Sequence, residues 1–96
     1  MYGLIGKMRA KPGQRAGLAA ALMEGTGAMP GCLAYLVAED LSDPDTLWIT
    51  EVWTDKASHV ASLSLPGVKA AIAKGRPLIA AFEPGAETRP LNAPKT

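Results

Sequence analysis

The stretch from Thr46 to Leu65, TLWITEVWTDKASHVASLSL, decides the fold of this 96-residue chain. Its first part, Thr46 to Thr54, is dense in β-branched and aromatic residues and therefore predicts a strand. Asp55 is a residue type that caps helix N-termini, and the run after it predicts a helix to about Leu65. A strand that turns directly into a capped helix is thus the unit around which the other elements are arranged.

Upstream of this unit, the sequence predicts two strands and one helix. The segments from Tyr2 to Ala10 and from Cys32 to Glu39 have the length and alternation of half-buried strands. Between them, the run from Gln14 to Gly25 is rich in Ala and Leu and predicts a helix. The turn chemistry of residues 41–45, LSDPD, joins the second and third strands as an antiparallel hairpin.

Downstream, Pro66-Gly67 interrupts the helix, and VKAAIAK predicts another helical turn or two. The residues from Glu87 to Leu91 predict a last strand at a sheet edge, where Pro90 is tolerated. The order β-α-β-β-α-β predicts an α+β, ferredoxin-like fold with four antiparallel strands and two helices on one face. The other face would be bare and apolar, and a second copy covers it most simply, as a dimeric α/β barrel.

Length and charge narrow the class of protein. We expect a single domain over residues 1–91 and a disordered tail over residues 92–96. So short a chain has a thin core, which favours a homodimer. The net charge is +1 and no run of Lys or Arg is present, which argues against nucleic acid or an anionic membrane as a partner. No apolar stretch is long enough to span a bilayer, and we expect a cytoplasmic protein.

Few side chains in the sequence are suited to catalysis. Histidine is the side-chain type that exchanges protons near neutral pH, and His59 is the only one. It follows a strand whose alternation places Ile49, Glu51 and Trp53 on one face, so these side chains can converge at a helix–sheet cleft. The plainer alternatives are a hydrogen-bonded or solvated structural histidine, a core tryptophan, and a Glu51 paired with a cation of a neighbouring strand.

The sequence lacks the residue patterns that indicate other kinds of functional site. Cys32 is the only cysteine, so an intramolecular disulfide is excluded and an inert buried thiol is expected. The sequence has no Gly-rich phosphate loop, no Ser-His-Asp order and no metal-ligand spacing. We therefore predict no metal site.

Two adjoining segments resemble a known family. The run LWITEVWTDKASHVASLSLPGVKAAI, preceded by PGCLAYLVAEDLSDPDT, is similar to the antibiotic biosynthesis monooxygenase family, including its quinol monooxygenase branch. The resemblance extends from Met1 to about Leu91. Its most specific parts are Pro30-Gly31, Glu51-Val52-Trp53 and the helix that carries Ser58-His59. It implies the dimeric α+β barrel that the order of elements also predicts.

The resemblance implies a cofactor-free monooxygenase that oxidises a small aromatic substrate (a quinol, an anthrone or a polyketide-like compound) with O₂. Removal of a proton makes such a substrate electron-rich enough to reduce O₂ directly, so neither flavin nor metal is expected. His59 is the expected base and Trp53 the expected hydrogen-bond donor and stacking surface. The residues expected to bind substrate are Ile49, Glu51, Ser62, Lys69 and Arg76.

The chain departs from the haem-degrading relatives at the positions that define them. Where those proteins carry an Asn, a Trp and a His, this chain has Gly6, Ser62 and Ile72. The resemblance therefore does not extend to haem degradation.

It departs in part from the other relatives. Anthrone-oxidising members share Trp53 but carry Tyr, Arg and Asn at the positions of His59, Lys69 and Ile49. Many quinol-type members have a His at the position of Ser62. These differences leave a second function open, namely a non-catalytic dimeric-barrel protein that binds a small aromatic ligand.

Overall fold

A computed structural model describes residues 1–94 of the chain. The elements are strands β1 (Tyr2–Ala10), β2 (Cys32–Glu39), β3 (Thr46–Trp53) and β4 (Ile79–Thr88), and helices α1 (Arg15–Glu24), α2 (Lys56–Ser62) and α3 (Pro66–Gly75). One turn of 3₁₀ helix, Arg76–Leu78, connects α3 to β4. Lys95 and Thr96, the end of the predicted tail, lie outside the described residues.

The four strands form one antiparallel sheet in the order β2-β3-β1-β4. The two interior strands, β1 and β3, pair from Tyr2 opposite Trp53 to Arg9 opposite Thr46. Helices α1 and α3 pack on the same side of β3, where Leu18 contacts one end of the strand's buried row and Val68 contacts the other. The predicted α+β, ferredoxin-like arrangement is confirmed.

The alternation predicted for β3 is confirmed and separates the two faces of the sheet. Leu47, Ile49 and Trp53 are buried beneath the helices, whereas Trp48 between them is exposed on the opposite face. Leu36 of β2 and Ile5 of β1 both pair with Thr50 and are also exposed apolar residues. The single chain therefore leaves an apolar sheet face uncovered.

The helix predicted to run to about Leu65 is shorter, and a third helix follows it. Helix α2 ends at Ser62, the chain turns through residues 63–65, and α3 runs for 10 residues from Pro66. Proline has no backbone N–H and a fixed φ, which suits the first turn of a helix as well as it ends one. Pro66 is thus the start of a helix rather than an interruption.

The prediction of a last strand from Glu87 to Leu91 is wrong in its position, since β4 spans Ile79–Thr88. Pro84-Gly85 resembles a turn in the sequence, but it lies within β4 beside an irregularity in the β1–β4 register, between Ile5 and Lys7. Edge strands tolerate Pro and bulges. A side chain at Gly85 would collide with the backbone of Ile5, so the glycine allows the two strands to approach.

Gly31 fixes the position of α2 relative to the sheet. Its φ is +81°, and a Cβ added there would lie 2.6 Å from Ser58 Oγ and 3.0 Å from Thr54 Oγ1. Its carbonyl accepts a hydrogen bond from the Thr54 N–H at 2.9 Å. The glycine therefore sits directly against the start of the helix that carries His59.

We expect Gly31→Ala to lower the free energy of unfolding by roughly 2–3 kcal/mol, because it adds a steric collision to the cost of a left-handed backbone. Gly13 has a similar φ of +76° but nothing within 4 Å of its added Cβ, so Gly13→Ala measures the backbone cost alone. Urea unfolding of both variants tests the difference. Equal losses would contradict the close contact with α2.

Candidate functional site

A cavity of about 280 Å³ lies between the sheet and the helices. Its wall is mainly apolar with a few polar side chains, which is typical of small-molecule sites. The residues that line it are Met8, Leu22, Thr26, Met29, Tyr35, Glu51, His59, Ser62, Leu63, Val68, Ala71, Ile72, Gly75, Arg76, Ile79 and Phe82.

Glu51 and His59 form a pair of ionisable side chains in this wall. The Glu51 side chain is only 16% exposed, and His59 Nε2 lies 4.0 Å from Glu51 Oε1. The same oxygen accepts a hydrogen bond from Trp53 Nε1 at 3.0 Å, because residues two apart on a strand share a face. The Trp53 and His59 rings meet edge to face at 5.5 Å. The arrangement holds a carboxylate beside an imidazole in a largely apolar setting.

Tyr35 is a further polar residue of the cavity, although the sequence pattern predicts only that it belongs to a strand. It lies directly opposite Glu51 in the β2–β3 ladder. Burial, and then the charge of Glu51, raise the pKa of Tyr35 to about 12, so its phenol stays protonated and can donate a hydrogen bond. The hairpin turn could have revealed this pairing, since residues 35 and 51 are each eight positions from Asp43 in the middle of the turn.

A second polar cluster ties the end of β4 to α2 beside His59. The Tyr2 ring lies 5.9 Å from the His59 ring, and the Tyr2 hydroxyl donates to Glu87 Oε2 at 2.7 Å. Lys56 Nζ lies 3.0 Å from the same oxygen. The hydrogen bond to Glu87 is the main reason that the pKa of Tyr2 rises to about 12, and the two partners lower the pKa of Glu87.

The structure brings together four of the seven predicted site residues. Glu51, His59, Ser62 and Arg76 all line the cavity. Ser62 is buried, and its hydroxyl donates to the His59 carbonyl at 2.6 Å. That bond anchors the turn of helix that carries the histidine.

The other three predicted residues lie outside the cavity wall. Trp53 is 0% exposed and lies behind Glu51, to which its indole N–H is committed. Ile49 belongs to the core with Leu18 and Leu47. Lys69 is exposed on α3 and does not line the cavity.

The thiol of Cys32, the only cysteine of the chain, lies apart from the cavity wall. Cys32 is half-buried, and burial followed by the charge of Glu51 raises its pKa.

Within residues 1–94, no group of three or more His, Cys, Asp or Glu side chains is arranged to hold a metal ion. None of the helices in that range combines the length and apolarity needed to cross a membrane.

Comparison with known proteins relates this chain to one family. The model of the family described as "Antibiotic biosynthesis monooxygenase" matches residues 1–74. A crystal structure from Chloroflexus aurantiacus, provisionally named an antibiotic biosynthesis monooxygenase, is 62% identical over 98% of this chain and 96% of its own, with a TM-score of 0.94. One from Deinococcus radiodurans, with the same provisional name, is 31% identical over 100% of this chain and 98% of its own, with a TM-score of 0.79.

More distant similarity shows the fold alone. A Nitrosomonas europaea protein is 14% identical over 96% of this chain and 100% of its own, with a TM-score of 0.85. A search of curated proteins found no match.

The contact between Tyr2 and Glu87 predicts a specific titration. In a Tyr35→Phe background Tyr2 is the only tyrosine, and its ionisation should have a midpoint near 12. Adding Glu87→Gln should lower this midpoint towards the ordinary value, since the lost negative charge favoured the neutral phenol. Ultraviolet difference spectra measure the ionisation, and circular dichroism verifies that the protein stays folded.

Glu24→Gln is the matched control for that titration. It removes the same charge from a surface pair with Lys74, and neither member of that pair is among the groups that shift the pKa of Tyr2. An unchanged Tyr2 midpoint in the Glu87→Gln variant would contradict the cluster.

Proposed function

The chain belongs to the antibiotic biosynthesis monooxygenase family, and from this premise we propose that it is a cofactor-independent monooxygenase. Its substrate would be a small aromatic compound, such as a quinol, an anthrone or a polyketide-like phenol, oxidised with O₂. The observation that carries the proposal is the Glu51–His59 pair, which stands in the wall of a mainly apolar cavity.

The first step is removal of a proton from the substrate. His59 takes the proton, and the carboxylate of Glu51, 4.0 Å from Nε2, stabilises the imidazolium that forms. The phenol of Tyr35 donates a hydrogen bond to the substrate oxygen, whose negative charge grows in this step. Together they supply a base and a stabiliser for the anion.

The second step is reduction of O₂ by the anion. One electron passes to O₂, and the resulting radical pair combines into a carbon-bound peroxide, which His59 protonates. Loss of water then leaves a carbonyl, so that R₂CH₂ and O₂ become R₂C=O and H₂O. The substrate supplies all the electrons and no outside reductant is consumed. The apolar cavity wall excludes water that would protonate the anion too early.

Trp53 has a positioning role in this scheme. Its indole N–H is bonded to Glu51 Oε1 at 3.0 Å, so it holds the carboxylate towards His59 rather than contacting the substrate. Ser62 acts in a similar way through the His59 carbonyl.

We expect His59→Gln to lower turnover by about 10²–10⁴-fold, the usual contribution of a positioned base. Oxygen uptake with a panel of hydroquinones and anthrones is the measurement, and anaerobic binding of the same compounds verifies that the variant keeps its cavity. Full activity of His59→Gln would refute the assignment. Binding by the wild-type protein without any oxygen uptake would favour the alternative, a non-catalytic protein that binds an aromatic ligand.

We also propose that the protein is a homodimer that buries the uncovered sheet face. Ile5, Leu36 and Trp48 are exposed apolar residues on this face. Contact of these large apolar side chains with water is unfavourable, and a second copy offers a surface of the same shape and character.

Leu36→Glu should shift the protein from dimer to monomer, since it would bury a charge in the proposed interface. Leu36 is 60% exposed, and Leu41→Glu is the control because Leu41 is 101% exposed in the hairpin turn. Analytical ultracentrifugation measures the mass of each variant. A Leu36→Glu protein that stays dimeric would place the interface elsewhere.

A further inference from the structure

The cavity carries opposite charges on different parts of its wall, Glu51 from the middle of the sheet and Arg76 from the connection after α3. We propose that the substrate of this site is an aromatic acid, with its reacting hydroxyl at one end of the ring system and a carboxylate at the other. Arg76 binds the carboxylate. The inference rests on the proposed function only for the identity of the reacting end.

The register of β1 sets the length of the cavity. Glu51 lies opposite Leu4, and Phe82 lies opposite Met8 on the other side of the same strand. Leu4 and Met8 are four residues apart on β1, so the positions of Glu51 and Phe82 are about 13 Å apart along the strand direction, at roughly 3.3 Å per residue. The Glu51 side chain is largely buried, whereas Phe82 is 70% exposed. The cavity is therefore a slot with an inner end at Glu51 and an outer end at Phe82.

Arg76 belongs to the outer end of the slot. It begins the 3₁₀ turn that leads into Ile79, the residue opposite Ala10 at the far end of β1. It is the only Lys or Arg among the described residues that line the cavity. No carboxylate of residues 1–94 lies within 4.0 Å of its guanidinium, although other cations such as Lys74 are paired at the surface.

These charges orient an aromatic acid in one direction. The carboxylate of Glu51 repels an anion from the inner end, while a planar guanidinium matches a carboxylate in geometry and charge at the outer end. Leu63, Ile72 and Phe82 are cavity residues with exposed apolar surface that an aromatic ring would cover. A cavity of about 280 Å³ is at the small end of ligand sites and accommodates a ring system as small as naphthalene.

Three naphthalene probes test this inference by binding under nitrogen. They are 6-hydroxy-2-naphthoate, which carries its two groups at opposite ends, 3-hydroxy-2-naphthoate, which carries them side by side, and uncharged 2-naphthol. The wild-type protein should bind 6-hydroxy-2-naphthoate roughly three- to tenfold more tightly than 2-naphthol, as expected for a partly solvated ion pair. The side-by-side isomer should show no such gain.

Variants assign the preference to one side chain. Arg76→Gln should abolish the gain, so that 6-hydroxy-2-naphthoate and 2-naphthol bind with equal affinity, and continued binding of 2-naphthol verifies that the cavity is intact. Arg76→Lys should keep part of it, since the charge remains but the planar fork is lost. Lys74→Gln is the control, because it removes a charge two residues away that Glu24 already pairs at 2.7 Å. It should keep the full preference.

The outcomes separate this inference from the proposed function. An equal affinity of the wild-type protein for 6-hydroxy-2-naphthoate and 2-naphthol, or an unchanged preference in Arg76→Gln, would overturn the role of Arg76. Because no turnover is needed, a failure to consume oxygen would refute the monooxygenase proposal without touching this one. Failure to bind any of the three probes would also overturn the aromatic-acid proposal, whereas the monooxygenase proposal depends on oxygen uptake with the hydroquinones and anthrones.

Discussion

A carboxylate on the helix-facing side of a central strand is the constraint on which the rest of this structure depends. Burying Glu51 between Ile49 and Trp53 is unfavourable unless its oxygens find partners. The indole of Trp53 satisfies one of them, and His59 and Tyr35 bring further polar groups to the same place. The core therefore divides into a cluster on either side of this carboxylate and leaves a cavity where it stands.

Much of this arrangement could be predicted from the sequence, and the failures have physical causes. The bounds of β1 and β2 and the two faces of β3 were predictable because each strand has one face that is less exposed than the other. The true position of β4 was hidden, since an edge strand exposed on both faces has no alternation to detect. Convergence of Glu51 and His59 follows from a strand that leads directly into a helix. The hydrogen bond that turns Trp53 away from the cavity depends on side-chain conformation, which spacing does not reveal.

The positions at which the chain departs from its better-known relatives are now explained in part. Ile49, where anthrone-oxidising relatives carry an Asn, is core, and the hydroxyl of Ser62, where quinol-type relatives carry a His, is bonded to the helix backbone. An added Cβ at Gly6, where haem-degrading relatives carry an Asn, would meet open space. The polar side chains of this cavity stand instead at other positions, chiefly Tyr35 and Glu51.

The last strand connects the two ends of the cavity. Near its start, β4 contributes Phe82 to the outer rim, and near its end Glu87 is fastened to Tyr2 and Lys56 beside His59. It has a hydrogen-bonded neighbour on one side only. Strand β4 thus connects the entrance of the cavity to the residues beside the imidazole of His59. A substitution that shifts β4 at the entrance is therefore expected to shift Glu87 and, through Tyr2, the surroundings of the His59 ring as well.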